Sequence, residues 1–282
     1  MNNILVPTDF SPEAYDALKV AVDISKTVDG QIVLLNVIDA PGGNNFSSQG
    51  GSAGNTSLDD IFTAKLIEKM RNDLDDMLEG FESDNISKEM ALGDVRDKIN
   101  ERVVLDNIDL VVMGTKGADG MQEVMVGSNA EKIVRKSHCP VLTLKQGSLD
   151  VDPKNIVFAS DFTENYDNIA PKLKDFQKHY DAKLHLLFVN TPNKFEMSSE
   201  TRRRIMAFVS KYGIENYTIN IYNHRDEEDG ILNFAEEFEM DLIAVATHSR
   251  KGLAHLLSGS IAEGVVNHSK KPVLSYSLKH IK

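Results

Sequence analysis

The stretch "MGTKGADGMQEVMVGSNAEKIV", residues 113–134, carries glycines at Gly114, Gly117 and Gly127, with Ser128 following the last, directly ahead of a strongly helical run. A backbone without Cβ atoms can turn tightly and let an anion approach closely. The free N–H groups and dipole of the helix that follows, with the Ser128 hydroxyl, are suited to a phosphate. Glycines in strand-to-helix loops also serve turns alone, and Ser128 by itself reads equally as an N-cap. The complete spacing G-x2-G-x9-G-S is more specific than either part. It is neither the P-loop frame G-x4-G-K-[ST] nor the dinucleotide frame G-x-G-x-x-G.

The charges around this loop are mixed. Lys116 supplies positive charge inside it, whereas Asp119 and Glu123 would repel bare phosphates unless a metal intervenes or they face solvent.

The same frame returns in "VATHSRKGLAHLLSGSIAEGVV", residues 245–266, with two glycines replaced: Ala246 stands at the Gly114 position and Ser249 at the Gly117 position. Gly259-Ser260 and the basic pair Arg250 and Lys251 remain. A Cβ at either changed position obstructs a close approach, so weak or absent phosphate binding is expected in this copy. His248 and His255, seven apart with no carboxylate at ligand spacing, read as ordinary polar residues rather than metal ligands.

The echo extends over the whole chain. "ILVPTDFS" (4–11) returns as "IVFASDFT" (156–163) at an offset of 152 residues, and "QIVLLNV" pairs with "KLHLLFV" at the same offset. From "DLVVMGT" (109–115) and "DLIAVAT" (241–247) to the "PVL" segments at Pro140 and Pro272, the offset falls to 132, leaving 20 extra residues in the first copy. The glycine- and serine-rich "PGGNNFSSQGGSAGN" (41–55) accounts for most of them and reads as a mobile surface loop or a lid.

Each copy alternates short β-branched runs with helix-period runs. In the first, strands are predicted near 3–7, 31–37, 86–91, 109–114 and 141–145, and helices near 12–28, 58–80, 95–106 and 128–138. Strands apolar on both faces imply a parallel sheet covered on both sides. The expected fold is therefore α/β: two tandem, doubly wound, Rossmann-like domains, 1–146 and 153–282, paired through their last strands about a pseudo-twofold axis. A homodimer of the whole chain is compatible with this but not legible.

On "ILVPTDFS", the glycine frame with its flanks through "CPVL", and their second-half echoes, the chain resembles the universal stress protein family in tandem form. The resemblance implies the adenine nucleotide alpha hydrolase-like variant of the fold and an ATP pocket in domain 1. It implies that Pro7, Thr8, Asp9 and Val37 line the adenosine end. Met113, Gly114, Gly117, Gly127, Ser128, Asn129 and Ala130 would hold ribose and phosphates, with Lys116 nearby. A Mg²⁺ ion on the phosphates is implied too, with Asp9 the nearest family-matched carboxylate.

Composition narrows the function classes. A formal net charge of −12 over 282 residues argues against an undifferentiated nucleic-acid or anionic-membrane surface. A single cysteine, Cys139, excludes an intrachain disulfide and a multi-thiolate zinc site. With no apolar run of spanning length and no signal-like start, a cytoplasmic protein is expected. The leading reading is an ATP-binding stress-response regulator with a degenerate second domain and an unidentified protein partner. The alternatives are a slow ATPase or adenylyl-transferring enzyme, for which no Walker lysine, "SGGxDS" or "HIGH" signature is present, and a scaffold or carrier whose second pocket holds another small ligand. The acidic "NHRDEEDG" (223–230) and basic "TRRRIM" (201–206) read as a helix start and a solvated helix face.

Overall fold

A computed structural model describes residues 1–38, 58–81, 84–115, 128–145, 147, 151–247 and 261–278. The first half runs β1 (Asn3–Thr8), α1 (Pro12–Val28), β2 (Gln31–Ile38), α2 (Leu58–Met77), β3 (Ile86–Leu92), α3 (Val95–Leu105), β4 (Leu110–Thr115), α4 (Ser128–Lys136) and β5 (Val141–Lys145). The second runs β6 (Asn155–Ala159), α5 (Ala170–His179), β7 (Lys183–Asn190), a 3₁₀ turn at Pro192–Lys194, α6 (Ser198–Tyr212), β8 (Tyr217–Asn223), α7 (Glu227–Glu237), β9 (Leu242–Thr247), α8 (Ile261–His268) and β10 (Val273–Ser277).

Local chemistry accounts for these boundaries. Ser11 caps α1 by accepting the Ala14 N–H, Pro12 opens the helix, and Asp29 closes it in the left-handed region at φ 52°. Its buried residues Ala14, Ala17, Leu18, Ala21 and Ile24 fall on one helical stripe. Asp94 and Asp226, repeat partners, cap α3 and α7 by accepting two backbone N–H groups each. The acidic "NHRDEEDG" thus opens a helix, where carboxylates complement its dipole.

The ten strands form one sheet in the order β3-β2-β1-β4-β5-β10-β9-β6-β7-β8. Pairing is parallel within each half and antiparallel at β5–β10. Helices α1, α2, α5 and α6 cover one face, and α3, α4, α7 and α8 the other, so both hydrophobic cores run through the two halves. This is the α/β fold with paired last strands that the repeat predicts.

The junction is symmetric in detail. Leu142 lies opposite Leu274, its own repeat partner. Thr143 Oγ1 donates to the Val273 carbonyl at 3.1 Å, and Ser275 Oγ to the Val141 carbonyl at 3.2 Å. Outside these, Lys145 Nζ donates to the Asn267 carbonyl and Ser277 Oγ to that of Arg135. Each pair consists of the same bond in two copies, as a local twofold requires.

Two sequence features have structural explanations here. The aspartates opening "DLVVMGT" and "DLIAVAT" close the strand starts: Asp109 Oδ2 accepts the N–H groups of Asn2 and Asn3, and Asp241 Oδ2 those of Lys154 and Asn155. Cys139 is buried, 3.6 Å from Ser137 Oγ, and burial pushes its thiol up to about 12.

Because both cores cross the junction, the halves are expected to unfold together. Six of the seven tyrosines lie in the second half, so tyrosine fluorescence follows that half and far-ultraviolet circular dichroism follows both. In urea the two transitions should coincide, and Leu274→Ala should shift both by about 2–5 kcal/mol. Cys139 should react with a thiol reagent only as fast as the protein unfolds, since its thiol is both buried and protonated.

Candidate functional site

In each half the strand order reverses at a central strand, β1 in the first and β6 in the second. In such sheets the crevice beyond the carboxyl ends of the strands at the reversal is the place where a ligand fits. Both crevices open on the same strained turn. After β1, Thr8 Oγ1 accepts the Phe10 N–H and Asp9 Oδ1 accepts the Ser11 N–H, both at 3.0 Å. After β6, Ser160 Oγ accepts the Phe162 N–H at 3.0 Å and Asp161 Oδ1 the Thr163 N–H at 3.1 Å. Phe10 (φ 64°) and Phe162 (φ 57°) hold left-handed backbone, a conformation costing a bulky residue about 1–3 kcal/mol. The strain recurs because hydroxyl, carboxylate and a phenyl anchor, buried at Phe162 and half-buried at Phe10, together fix the turn, presenting an aspartate at the strand tip.

The described members of the predicted site gather at this edge. Pro7 and Thr8 end β1, Asp9 is exposed at its tip, and Val37 lies near the end of β2. Met113 and Gly114 are near the end of β4, while Ser128, Asn129 and Ala130 start α4. Val37, Met113 and Ala130 share one hydrophobic cluster. Thr8 turns its hydroxyl to the opposite face, toward Met77 Sδ at 3.2 Å, so its side chain serves the turn. Lys116, Gly117 and Gly127 lie outside the described residues, as do 41–55 and 248–260.

Gly114 has a packing reason of its own. A Cβ there would stand 2.3 Å from the backbone carbonyl carbon and oxygen of Glu13, in the first turn of α1, which lies along β4. In the second half the helical turn that makes this contact is missing. Residues 164–169, which correspond to the start of α1, are not α-helical, and α5 opens only at Ala170 with Pro171 in its first turn. Proline inside a helix loses a hydrogen bond and collides with the preceding turn, so the helix cannot start where α1 does. With the helix withdrawn, Ala246 is tolerated. The change from glycine to alanine therefore follows from packing, and carries less information about phosphate than its position in the frame suggests.

The second crevice is a cavity of about 200 Å³. Its lining includes Ala159, Ser160, Asp161, Val189, Val245, Ala246 and Ala262, the repeat partners of Pro7, Thr8, Asp9, Val37, Met113, Gly114 and Ala130. Seven positions picked out in one half thus converge on one space in the other. Its lining also holds residues that sequence reasoning passed over. Lys194, on the 3₁₀ turn, reaches Glu227 at the start of α7 at 2.5 Å. The lining residue Glu196 pairs with Arg204 of α6 at 2.7 Å; Arg204, itself outside the lining, donates Nε to the Asp161 carbonyl at 2.7 Å and lies over the Phe188 ring. The short connection "TPNKFE" after β7 was the available signal, since it brings charged residues to the mouth where the first copy has its long insertion.

In the first half, β2 carries Asn36 where β7 has Phe188. Asn36 Nδ2 donates to the Thr8 carbonyl at 2.9 Å, whereas its buried Oδ1 has no partner among the described residues. A polar residue in an otherwise apolar strand was the visible sign.

A doubly wound sheet with a ligand crevice at each reversal defines the class of protein. Residues 1–145 and 153–276 each match the family model described as the universal stress protein family. The chain belongs to the universal stress protein family. It is similar to a universal stress protein of Staphylococcus saprophyticus, 30% identical over 172 residues that cover 58% of this chain and 95% of the relative. A Staphylococcus haemolyticus relative is 27% identical over 172 residues, with coverage of 58% and 96%. Among solved structures, a universal stress protein from Archaeoglobus fulgidus superposes with a TM-score of 0.74 at 22% identity over 98% of each chain. One from Pseudomonas aeruginosa gives 0.62 at 19% identity, covering 98% of this chain and 93% of the other. These structural likenesses speak for the fold. Among the described residues, no helix is long and apolar enough to cross a membrane.

The packing account of the glycine frame predicts an asymmetry. Gly114→Ala should lower stability by about 1–3 kcal/mol in urea unfolding, since backbone must shift to admit the methyl. Ala246→Gly at the equivalent position should cost no more than about 1 kcal/mol.

Proposed function

We propose that domain 1 binds ATP with Mg²⁺ in the crevice at the tips of β1, β2 and β4, and that occupancy of this site regulates contacts with a protein partner in a stress response. The observation that carries the reading is the convergence, in the second half, of the repeat partners of Pro7, Thr8, Asp9, Val37, Met113, Gly114 and Ala130 on one cavity. The same positions in domain 1 stand at the same strand ends and helix start. Val37, Met113 and Ala130 offer an apolar wall for a base. The N-terminus of α4 offers backbone N–H groups to an anion, and Gly117 and Gly127 belong to the loop leading to it.

The donor set fits a magnesium ion held mostly by phosphate oxygens. Asp9 is an exposed carboxylate with Oδ1 committed to the Ser11 N–H, which orients Oδ2 at the strand tip. Mg²⁺ commonly takes one or two carboxylates together with nucleotide phosphates. Its chemistry there is charge neutralisation, while the chain's own residues position the nucleotide. Domain 2 differs at the same place: Glu227 stands where domain 1 has Val95, and Glu196 joins the lining, each carboxylate paired with a cation, Lys194 and Arg204. We read domain 2 as poor in ATP affinity because Ser249 stands at the Gly117 position, where a Cβ obstructs a close approach.

Calorimetric titration of nucleotide-free protein with Mg-ATP is expected to give about one site per chain. Gly127→Leu should weaken it at least about tenfold. Asp9→Asn keeps the acceptor for Ser11 and removes the charge, so it should weaken Mg-ATP about tenfold and leave metal-free ATP little changed. A Gly127→Leu protein that binds with unaltered affinity would place the nucleotide elsewhere.

A further inference from the structure

The ten-stranded sheet ends in two edge strands that are repeat partners, β3 in the first half and β8 in the second. We propose that β8 is a self-association edge: two copies of this chain pair β8 with β8, antiparallel, about a twofold axis, and so join their sheets into one. The inference stands apart from what either crevice holds.

The ladder defines which backbone groups point outward. The Leu184 N–H donates to the Asn216 carbonyl at 2.9 Å and the His224 N–H to that of Asn190 at 3.1 Å, with unbroken register from Leu184–Tyr217 to Asn190–Asn223 between them. A parallel pairing uses alternate residues of each strand. Tyr217, Ile219, Ile221 and Asn223 therefore turn their N–H and carbonyl groups away from β7, and these groups have no hydrogen-bond partner among the described residues. Such a row is a template for another strand.

The two edges differ in how they meet that hazard. The register of β3 on β2 places Lys88 where β8 has Ile219, and Glu89 where β8 has Asn220. Lys88 pairs with Asp75 of α2 and Glu89 with Arg102 of α3, so ion pairs flank β3 on both faces of the sheet. A strand added there would take these ions out of water, at a cost their pairing does not reliably recover. β8, "YTINIYN", has no charge, proline or glycine in its seven residues. Beside it Phe238, 49% exposed, lies against Tyr222 with ring centroids 6.3 Å apart, and Tyr217 is 36% exposed. Glu237 is the acid at this flank, and it accepts the Tyr222 hydroxyl at 2.7 Å.

The occupant that fits is a second copy. Each chain carries a formal charge of −12, so two copies repel over much of their surface and close most readily along a strip without charge. Full overlap about Asn220 sets Ile219 opposite Ile221 of the partner subunit and Tyr217 opposite Asn223 of the partner subunit, which pairs every outward backbone group of the strand. Ile219 and Ile221 pack on the core under α6, so the apolar layer continues across the axis. The chain joins its own halves by the same device, the antiparallel pairing of β5 with β10. Pairing β8 with a partner's β3 would be head-to-tail and would not close.

The test is sedimentation velocity of the full-length chain from about 1 to 100 μM, a range that spans ordinary reversible association. A monomer–dimer equilibrium with no larger species is expected. Ile219→Lys, which copies the β3 edge, should weaken it at least about tenfold with an unchanged circular dichroism spectrum. Asn220→Cys is independent of that variant's folding. On the axis its Cα would stand about 4.5 Å from its copy, within the span of a disulfide. Mild oxidation should therefore give a covalent dimer, whereas Glu89→Cys on the other edge should not, and Cys139 is buried.

The proposal is overturned by a monomer throughout the range, by growth beyond the dimer, or by an Ile219→Lys protein that is folded and dimerises with unaltered affinity. It is also overturned if Asn220→Cys sediments as a dimer and yet forms no cross-link.

Discussion

The antiparallel pairing of β5 with β10 is the contact on which the rest depends. Neither strand is a free edge, because each is the other's neighbour, and the pairing turns two five-stranded sheets into one. Unpaired strand edges are open to association with other chains, so a last strand as apolar as "PVLTL" or "PVLSY" needs a partner. The tandem arrangement supplies that partner within the chain. Since α4 and α8 pack beside this seam on one face, and the cores of both faces continue across it, the orientation of the two crevices is set by the same bonds that close the sheet.

With this frame fixed, the two halves have diverged at the strand tips and not at their roots. Asp109 and Asp241 close the strand starts in the same way, and Asp94 and Asp226 cap equivalent helices. The turn holding Asp9 and Asp161 keeps its hydroxyl cap and its left-handed phenylalanine in both copies. What has changed is the surroundings of that turn: the start of the first helix, the connection after the second strand, and the first residues of the helices that face the crevice. Rigid roots with variable tips allow two sites of different chemistry on one scaffold, because altering a strand-end residue leaves the core packing intact.

The second domain also shows how one backbone change permits another. Withdrawal of α5 from the strand ends leaves Tyr166 buried, its hydroxyl 2.5 Å from Ser160 Oγ, and burial raises its ionisation well above the usual phenol range. The phenol therefore remains a neutral hydrogen-bonding group. Tyr166 occupies the position of Ala14, and with Phe158, Phe162 and Phe208 it forms an aromatic cluster behind the β6 turn. A large ring thus fills the core on the side from which the helix start has moved away.

The sequence by itself determined the repeat, the order of elements and the strand that joins the halves, because these rest on periodicity and on apolar runs that are local and dense. The first-half helices from 12 and 95, and the strands from 3, 31, 86 and 141, begin at the residues the pattern marks. It also marked the edge at which Asp9, Val37, Met113 and Ala130 come together, since motif residues at strand ends share one side of a parallel sheet. Tertiary structure alone decided why Gly114 is a glycine, because the atoms it must avoid belong to Glu13, a hundred positions away in the chain. It alone decided the polarity of the second cavity, where Lys194, Glu196, Arg204 and Glu227 arrive from a short connection and two helices. Their contributions depend on who pairs with whom across space, and pairing across space leaves no period in the sequence.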